Sequence, residues 1–298
     1  MSIDRRNALA ALAAAGLIWG LTVPMSKVAM GWLDPLWLTA ARFAAAAPVL
    51  ALAARGSLRS ACTWRVAAWG VLFYGAVVGT QNVGVAMTSV SHGALICGSV
   101  PAFVALVALA SGRGSAGRVA WTGFAIAVAG VMLVAGGGDA SSPAGDALVL
   151  LAAAISAFYV VAQPSVLSGR DPAAVTAVQM AAGAVAVAPF ALLFEGLPHA
   201  SAVPTVDELT AFAALAGLGS VVPFVLYAYG QKRVAPEVAG AFVNLEPLVG
   251  ALVGAFAFGD PFGTTQLLGA TAIVGGILMS VDWRPRREGA GAAALQAG

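Results

Sequence analysis

The chain has 298 residues, of which 60% are hydrophobic and only 9% charged, with a formal net charge of +2. Soluble domains carry about 25% charged residues, so a soluble enzyme and a basic nucleic-acid-binding module are both excluded. Apolar runs of about 20 residues, separated by short polar punctuation, describe an all-α polytopic membrane protein in contact with a lipid bilayer.

Ten transmembrane helices are predicted. The first runs from Asn7 to Ala29, with Trp19 at its centre, Pro24 beyond it and Lys27 near its outer end. Arg5 and Arg6 precede it as they would a signal peptide, but the stretch is long for a cleaved apolar region and has a counterpart later in the chain. The second, Pro35 to Ala54, carries Arg42 seven residues inside Pro35, about 10 Å of helix rise. The third, Trp64 to Met87, holds Tyr74, Gln81 and Asn82, and the fourth, Ser91 to Ser111, holds His92 at its start and Pro101. The fifth covers Ala116 to Gly136. After "GGDASSP" the sixth, Ala144 to Pro164, contains Tyr159 and Gln163, and the seventh runs from Ala173 to Phe194. The eighth, Asp207 to Gly230, contains Tyr227 and Tyr229. The ninth, Ala235 to Phe258, contains "AFVNLEPLVGALV", in which Asn244, Glu246 and Pro247 interrupt an apolar run. The tenth is Gly263 to Val281, and residues 284–298 form a tail too polar and glycine-rich to pack.

With a cytoplasmic N-terminus, 13 of the 15 Lys and Arg residues fall in inner segments. Both termini are therefore expected in the cytoplasm, in a cell inner or plasma membrane. Cys62 and Cys97, one in a loop and one in a span, provide neither a disulfide framework nor a metal site, and no cofactor is called for.

The chain repeats itself. Pro101 and Pro247 are 146 residues apart, and the same shift pairs Gly84 with Gly230, Gly123 with Gly269 and Gly130 with Gly276. A shift of 137 joins Asp34, Pro35 and Thr39 to Asp171, Pro172 and Thr176, and one of 140 joins Trp19 to Tyr159 and Pro24 to Pro164. Two repeats follow, residues 1–138 and 139–283, each of five helices. Five is odd, so the second inserts upside down, the architecture of secondary transporters with a midplane site between their halves. Pro24, Pro101, Pro164 and Pro247 are expected to break helices around that pathway, each removing a backbone donor.

"LIWGLTVPMSK", "AARFAAAAP", "GALICGSVPAFVALVAL" and "NLEPLVGALVGAFAFGD" resemble the EamA repeat of the drug/metabolite transporter superfamily. The resemblance covers both halves and is greatest to the aromatic amino acid exporters. It implies a ten-helix carrier that exports amino acids or other metabolites by alternating access. Its motifs are loose and apolar, identifying the family better than the substrate.

Ionisable groups within a span mark candidate sites. Glu246 has Val100 as its repeat partner, so the repeat does not demand a carboxylate there. Two readings stay open: a substrate or proton site, and a structural partner to another charge. Arg42, whose counterpart is Gln179, is expected to be structural, because a buried guanidinium needs acceptors; a hold on a substrate carboxylate is the alternative. Lys27 is expected to snorkel outward, with a gate as the rival reading. Trp19, Tyr74, Tyr159 and Tyr227, with Gln81, Asn82, Gln163 and Asn244, form a candidate cavity for an apolar or aromatic side chain, the amides orienting its polar ends. Each tyrosine equally suits a gap between helices, its hydroxyl satisfied there.

Rival functions fare worse. No G-x-x-x-x-G-K-[ST] phosphate loop appears, which disfavours an ATP-driven pump. "GLGSVV" around Ser220 has no intramembrane histidine to act as base, and Asp139 falls in a loop, so an intramembrane protease lacks its partners. A channel-like facilitator and export of another metabolite or drug remain as alternatives. The sequence leads to a non-enzymatic carrier whose partner is a small-molecule substrate, and for which a monomer suffices.

Overall fold

Alanine and leucine are strong helix formers, and in lipid every backbone polar group must find its partner within the chain. The computed structural model describes residues 3–87, 96–112, 117–135, 142–198, 203–257 and 263–280, and among these all regular structure is helical. His92, Trp283 and the tail lie outside the described residues.

Six helical stretches are long and apolar enough to cross a membrane: Ile3–Ala29, Pro35–Ala53, Trp64–Met87, Pro143–Val166, Pro172–Phe194 and Val206–Gln231. The first comprises α1 (Ile3–Trp19) and α2 (Thr22–Ala29). The second is α3 (Pro35–Ala53), and a short α4 (Leu58–Ala61) follows it. The third is α5 (Trp64–Gly70), a π turn (Val71–Val77) and α6 (Val78–Met87). Next come α7 (Val100–Ala110), α8 (Arg118–Ala135), α9 (Pro143–Val166) and α10 (Pro172–Phe194). The sixth long stretch is α11 (Val206–Ala216), a second π turn (Gly217–Val221) and α12 (Val222–Gln231). Beyond it lie α13 (Pro236–Ala241), a 3₁₀ turn (Phe242–Asn244), α14 (Leu245–Ala257) and α15 (Thr264–Ser280).

Three of the four candidate helix-breaking prolines follow an interruption. Pro24 offers no N–H to the Gly20 carbonyl, and the chain turns at Gly20–Leu21. Thr22 Oγ1 donates to the exposed Trp19 carbonyl at 2.7 Å. Pro101 follows a turn at Gly98–Ser99, and Pro247 follows the 3₁₀ turn Phe242–Asn244. Pro164 departs from the expectation. It sits in the last turn of α9, which runs unbroken from Pro143 to Val166, so little helix remains beyond it to be redirected.

The helices pack in pairs: α3 with α10, α8 with α15, α1 with α12, α6 with α9 and α7 with α13. Between α8 and α15 the surfaces meet through glycines and alanines. A Cβ at Gly130 would strike the Gly269 carbonyl, and one at Gly276 the Gly123 carbonyl, the close approach that small residues permit in lipid. The main core, containing Leu12, Phe43, Tyr74, Met180 and Phe224, lies where α1, α3, the first π turn, α10 and α12 converge.

Candidate functional site

A cavity lies within the bundle, lined from several of the helix interruptions. Trp19, Thr22 and Ser26 reach it from either side of the α1–α2 break, Arg42 from α3, and Gln81, Asn82 and Val85 from α6. Cys97 and Val100 come from the start of the fourth span, Ser156 and Val160 from α9, and Phe224 and Tyr227 from α12. Val243 in the 3₁₀ turn and Glu246 in the first turn of α14 complete it. Among its described lining residues Arg42 is the one cation and Glu246 the one anion.

The apolar wall is aromatic. Trp19 meets Phe224 edge-on at 5.0 Å between ring centroids and Tyr227 at 4.9 Å. Phe73 also lines the cavity, and its outer face stacks on Tyr159 at 3.9 Å with 13° between the planes. Such offset and edge-on contacts each add about 0.5–1.5 kcal/mol to simple area burial, which favours a rigid wall. Trp19 Nε1 is buried with no hydrogen-bond acceptor.

The polar groups are of two kinds. Asn82 Nδ2 donates to Thr39 Oγ1 at 2.8 Å, and Thr39 in turn donates to the Pro35 carbonyl. Gln81 Nε2 approaches Cys97 Sγ at 3.4 Å, and the Tyr227 hydroxyl donates to the Ala239 carbonyl at 3.1 Å, tying α12 to α13. These side chains are occupied. Arg42 is only partly so: Nε donates to Ser220 Oγ at 3.0 Å and Nη2 to the Gly219 carbonyl at 3.3 Å. Glu246 shares the cavity, yet no hydrogen bond joins the two.

Of the nine residues expected to line the cavity, Trp19, Gln81, Asn82, Tyr227 and Glu246 do so. Tyr74, Tyr159, Gln163 and Asn244 do not. Tyr74 is fully buried, its ring edge-on to Phe43 at 5.0 Å. Tyr159 and Gln163 sit one turn apart on α9 and face α10. There Gln179 Oε1 accepts from both at 3.0 Å and Gln179 Nε2 returns a bond to Gln163 Oε1. Asn244 is buried in the 3₁₀ turn with both amide atoms unpartnered. Arg42 was expected to be structural, and its bonds to the second π turn are structural, but it also opens on the cavity. Lys27 donates to the Val85 carbonyl at 2.8 Å rather than only reaching toward the interface.

Sequence reasoning missed Thr22, Ser26, Phe73, Cys97, Ser156 and Phe224. Thr22 and Ser26 bracket Pro24, so the break itself was the signal. Phe73 and Phe224, in a uniformly apolar run, carried none.

A family model described as the EamA-like transporter family matches the chain twice, over residues 6–136 and 143–281. The uncharacterized inner membrane transporter YedA of Escherichia coli K12 is 26% identical over 282 residues, covering 90% of this chain and 89% of its own. An uncharacterized transporter of Archaeoglobus fulgidus is 33% identical over 118 residues, a match spanning 39% of this chain and 38% of that protein. A protein of known crystal structure shares the fold with a TM-score of 0.77 at 21% identity, over 92% of this chain and 96% of its own.

Proposed function

The chain belongs to the EamA-like transporter family, and we propose that it is a ten-span carrier exporting amino acids with apolar or aromatic side chains by alternating access. The reading places the protein in a cell inner or plasma membrane, as YedA is named, with both termini cytoplasmic. It treats the two matches to the family model as two inverted five-helix halves enclosing the cavity. The helix pairing supports this: α3 and α10, α7 and α13, and α8 and α15 join repeat-equivalent spans, while α1 pairs with α12 as α9 pairs with α6. The two π turns begin at Val71 and Gly217, related by the same 146-residue shift that joins Pro101 to Pro247. An inverted pair of halves rocks about such contacts and exposes a midplane site to each side in turn.

One observation carries the substrate class. A single cavity combines the aromatic wall of Trp19, Phe73, Phe224 and Tyr227 with one acid and one base that are not bonded to each other. An amino acid offers a carboxylate, an ammonium and a side chain to match.

The test is counterflow of radiolabelled phenylalanine and leucine into liposomes containing the purified protein, with no pH gradient imposed. Saturable exchange accelerated by internal unlabelled substrate is expected. Linear flux without saturation would identify a channel-like facilitator, and no flux of any amino acid would overturn the substrate assignment.

A further inference from the structure

Arg42 differs from other buried polar groups of the bundle in how its donors are spent. A guanidinium has five N–H donors in a rigid planar fork. Here Nε is committed to Ser220 Oγ and Nη2 to the Gly219 carbonyl. Both acceptors lie in the second π turn, Gly217–Val221, so the turn holds one edge of the fork. Nη1 has no bond to the described residues, and the side chain lines the cavity although it is only 5% exposed.

Pro223 and Ser220 provide those acceptors. In an α-helix the Gly219 carbonyl would receive the N–H of the residue four places on, which is Pro223, and proline has none. Arg42 Nη2 takes that carbonyl instead. Ser220 Oγ donates its own proton to the Leu215 carbonyl, five residues back, at 2.9 Å. The hydroxyl proton is therefore directed away from Arg42 and its oxygen lone pair toward Nε. The serine is fully buried and has one geometry to offer. Functional helices often carry π bulges at such sites.

The position 137 residues later provides the contrast. Gln179 is also fully buried, but its amide closes on Tyr159 and Gln163 and does not line the cavity. Where the fold needs only a buried polar residue, a neutral closed network satisfies it. Arg42 has a permanent charge, one anchored edge and one edge left over, in a cavity whose only acid among the described lining residues, Glu246, is not bonded to it. A bidentate fork of this kind is complementary to a carboxylate.

Building on the carrier reading, we infer that Arg42 reads the substrate carboxylate and that Ser220 is the positioning residue that aims it. The required ligand feature is a free carboxylate, with the aromatic wall taking the side chain and Glu246 placed to meet an ammonium. Transport is then selective for the acid over its primary amide, which keeps the size and side chain but loses the charge.

The experiment compares phenylalanine with phenylalaninamide in the parent, Ser220→Ala and Ser220→Thr. Two readouts are used: inhibition of phenylalanine counterflow in proteoliposomes, and ligand-induced thermal stabilisation of the detergent-solubilised protein. In the parent, phenylalanine is expected to outcompete the amide by at least about tenfold, the scale of one charge-assisted hydrogen bond. Ser220→Ala is expected to raise the KM for phenylalanine with little change in maximal rate, leave binding of the amide unchanged, and so narrow the discrimination. Ser220→Thr, which keeps the hydroxyl, is expected to restore it. Equal affinity for acid and amide in a transporting parent would overturn the carboxylate assignment and leave the carrier reading intact. Stabilisation by the acid alone, without flux, would overturn the carrier reading and uphold the carboxylate site. Equal weakening of both ligands in Ser220→Ala would reduce Ser220 to a packing residue, and the parent comparison stands even if that variant does not fold.

Discussion

Glu195 caps the first turn of α3 from a distant part of the sequence: its carboxylate accepts the backbone amide of Leu36, 159 positions earlier, at 2.9 Å. The other carboxylate oxygen accepts the amide of Trp37 at 3.0 Å, and Trp37 Nε1 donates to the Gly196 carbonyl at 2.8 Å. Asp34, at the N-cap position of α3, makes no side-chain cap bond; the residue that follows α10 supplies it. Gly196 has φ +77°, a left-handed turn that glycine adopts without strain and that presents its carbonyl to the indole.

Burial pushes the Glu195 carboxyl above the usual carboxylate range, against the two amides that pull it down, while nearby Asp34 adds to the rise. A folded pKa above the unfolded value of about 4.3 means that the folded state holds its proton more tightly. This contribution to stability is therefore complete below the unfolded value and is lost as pH rises through the shifted one. Glu195→Gln is expected to flatten the fall in Tm from about pH 4 upward, measured by thermal unfolding in detergent. An unchanged slope would assign the pH dependence to another group.

Lys27 Nζ bonds the Val85 carbonyl at 2.8 Å, linking α2 to the end of α6 beside the cavity. On the proposed orientation, loss of this link should let the C-terminal part of α2 separate from α6 on the outer side. In a Cys62→Ser background, Cys97 is the remaining thiol and lines the cavity. Lys27→Met is expected to speed labelling of Cys97 by a membrane-impermeant maleimide added outside, by severalfold over Lys27→Arg, which keeps a donor. Equal rates in the two variants would mean that Lys27 is no gate.

The apolar runs and the positions of Pro24, Pro101 and Pro247 were readable from hydropathy and spacing, whereas the contacts of Gly130 with Gly269 and of Gly276 with Gly123 were not, since the repeat shift matches Gly130 to Gly276. The facing of individual side chains was not. Tyr159 and Gln163 lie on one side of α9, but a helix apolar all round gives no sign of which side meets the cavity. Their partner Gln179 settles it, and that contact is tertiary. Ser220 drew attention only as a nucleophile without a base; its role depends on a π turn that composition does not announce. Glu195 was hidden for a similar reason, since its partners are backbone amides of a distant helix.

Glu246 is the one acid among the described residues lining the cavity. Glu246→Gln keeps the shape and a carbonyl acceptor but removes the charge that would meet an ammonium. Hydrogen bonds to charged groups contribute about 1.5–3 kcal/mol, so apparent affinity for phenylalanine is expected to fall roughly 10- to 100-fold. Counterflow across a substrate series provides the measurement. A variant matching the parent would exclude Glu246 as a substrate ligand.

The contact of α8 with α15 should leave no room for an added methyl group. A Cβ at Gly130 would lie 2.6 Å from the Gly269 carbonyl oxygen and 2.8 Å from the Ile273 nitrogen. Both are backbone atoms that cannot rotate away, so the helices themselves must separate. Overpacking of this kind costs about 1–3 kcal/mol, and lipid supplies no hydrophobic drive to hold the pair together once close packing is lost. Gly130→Ala is therefore expected to lower Tm by several degrees. Gly117→Ala, at a position where a Cβ meets nothing within 4 Å, is expected to leave it unchanged. Thermal unfolding of both variants in detergent decides the point: equal Tm values would show that the two helices accommodate a methyl group and that the glycine contact is not what joins them.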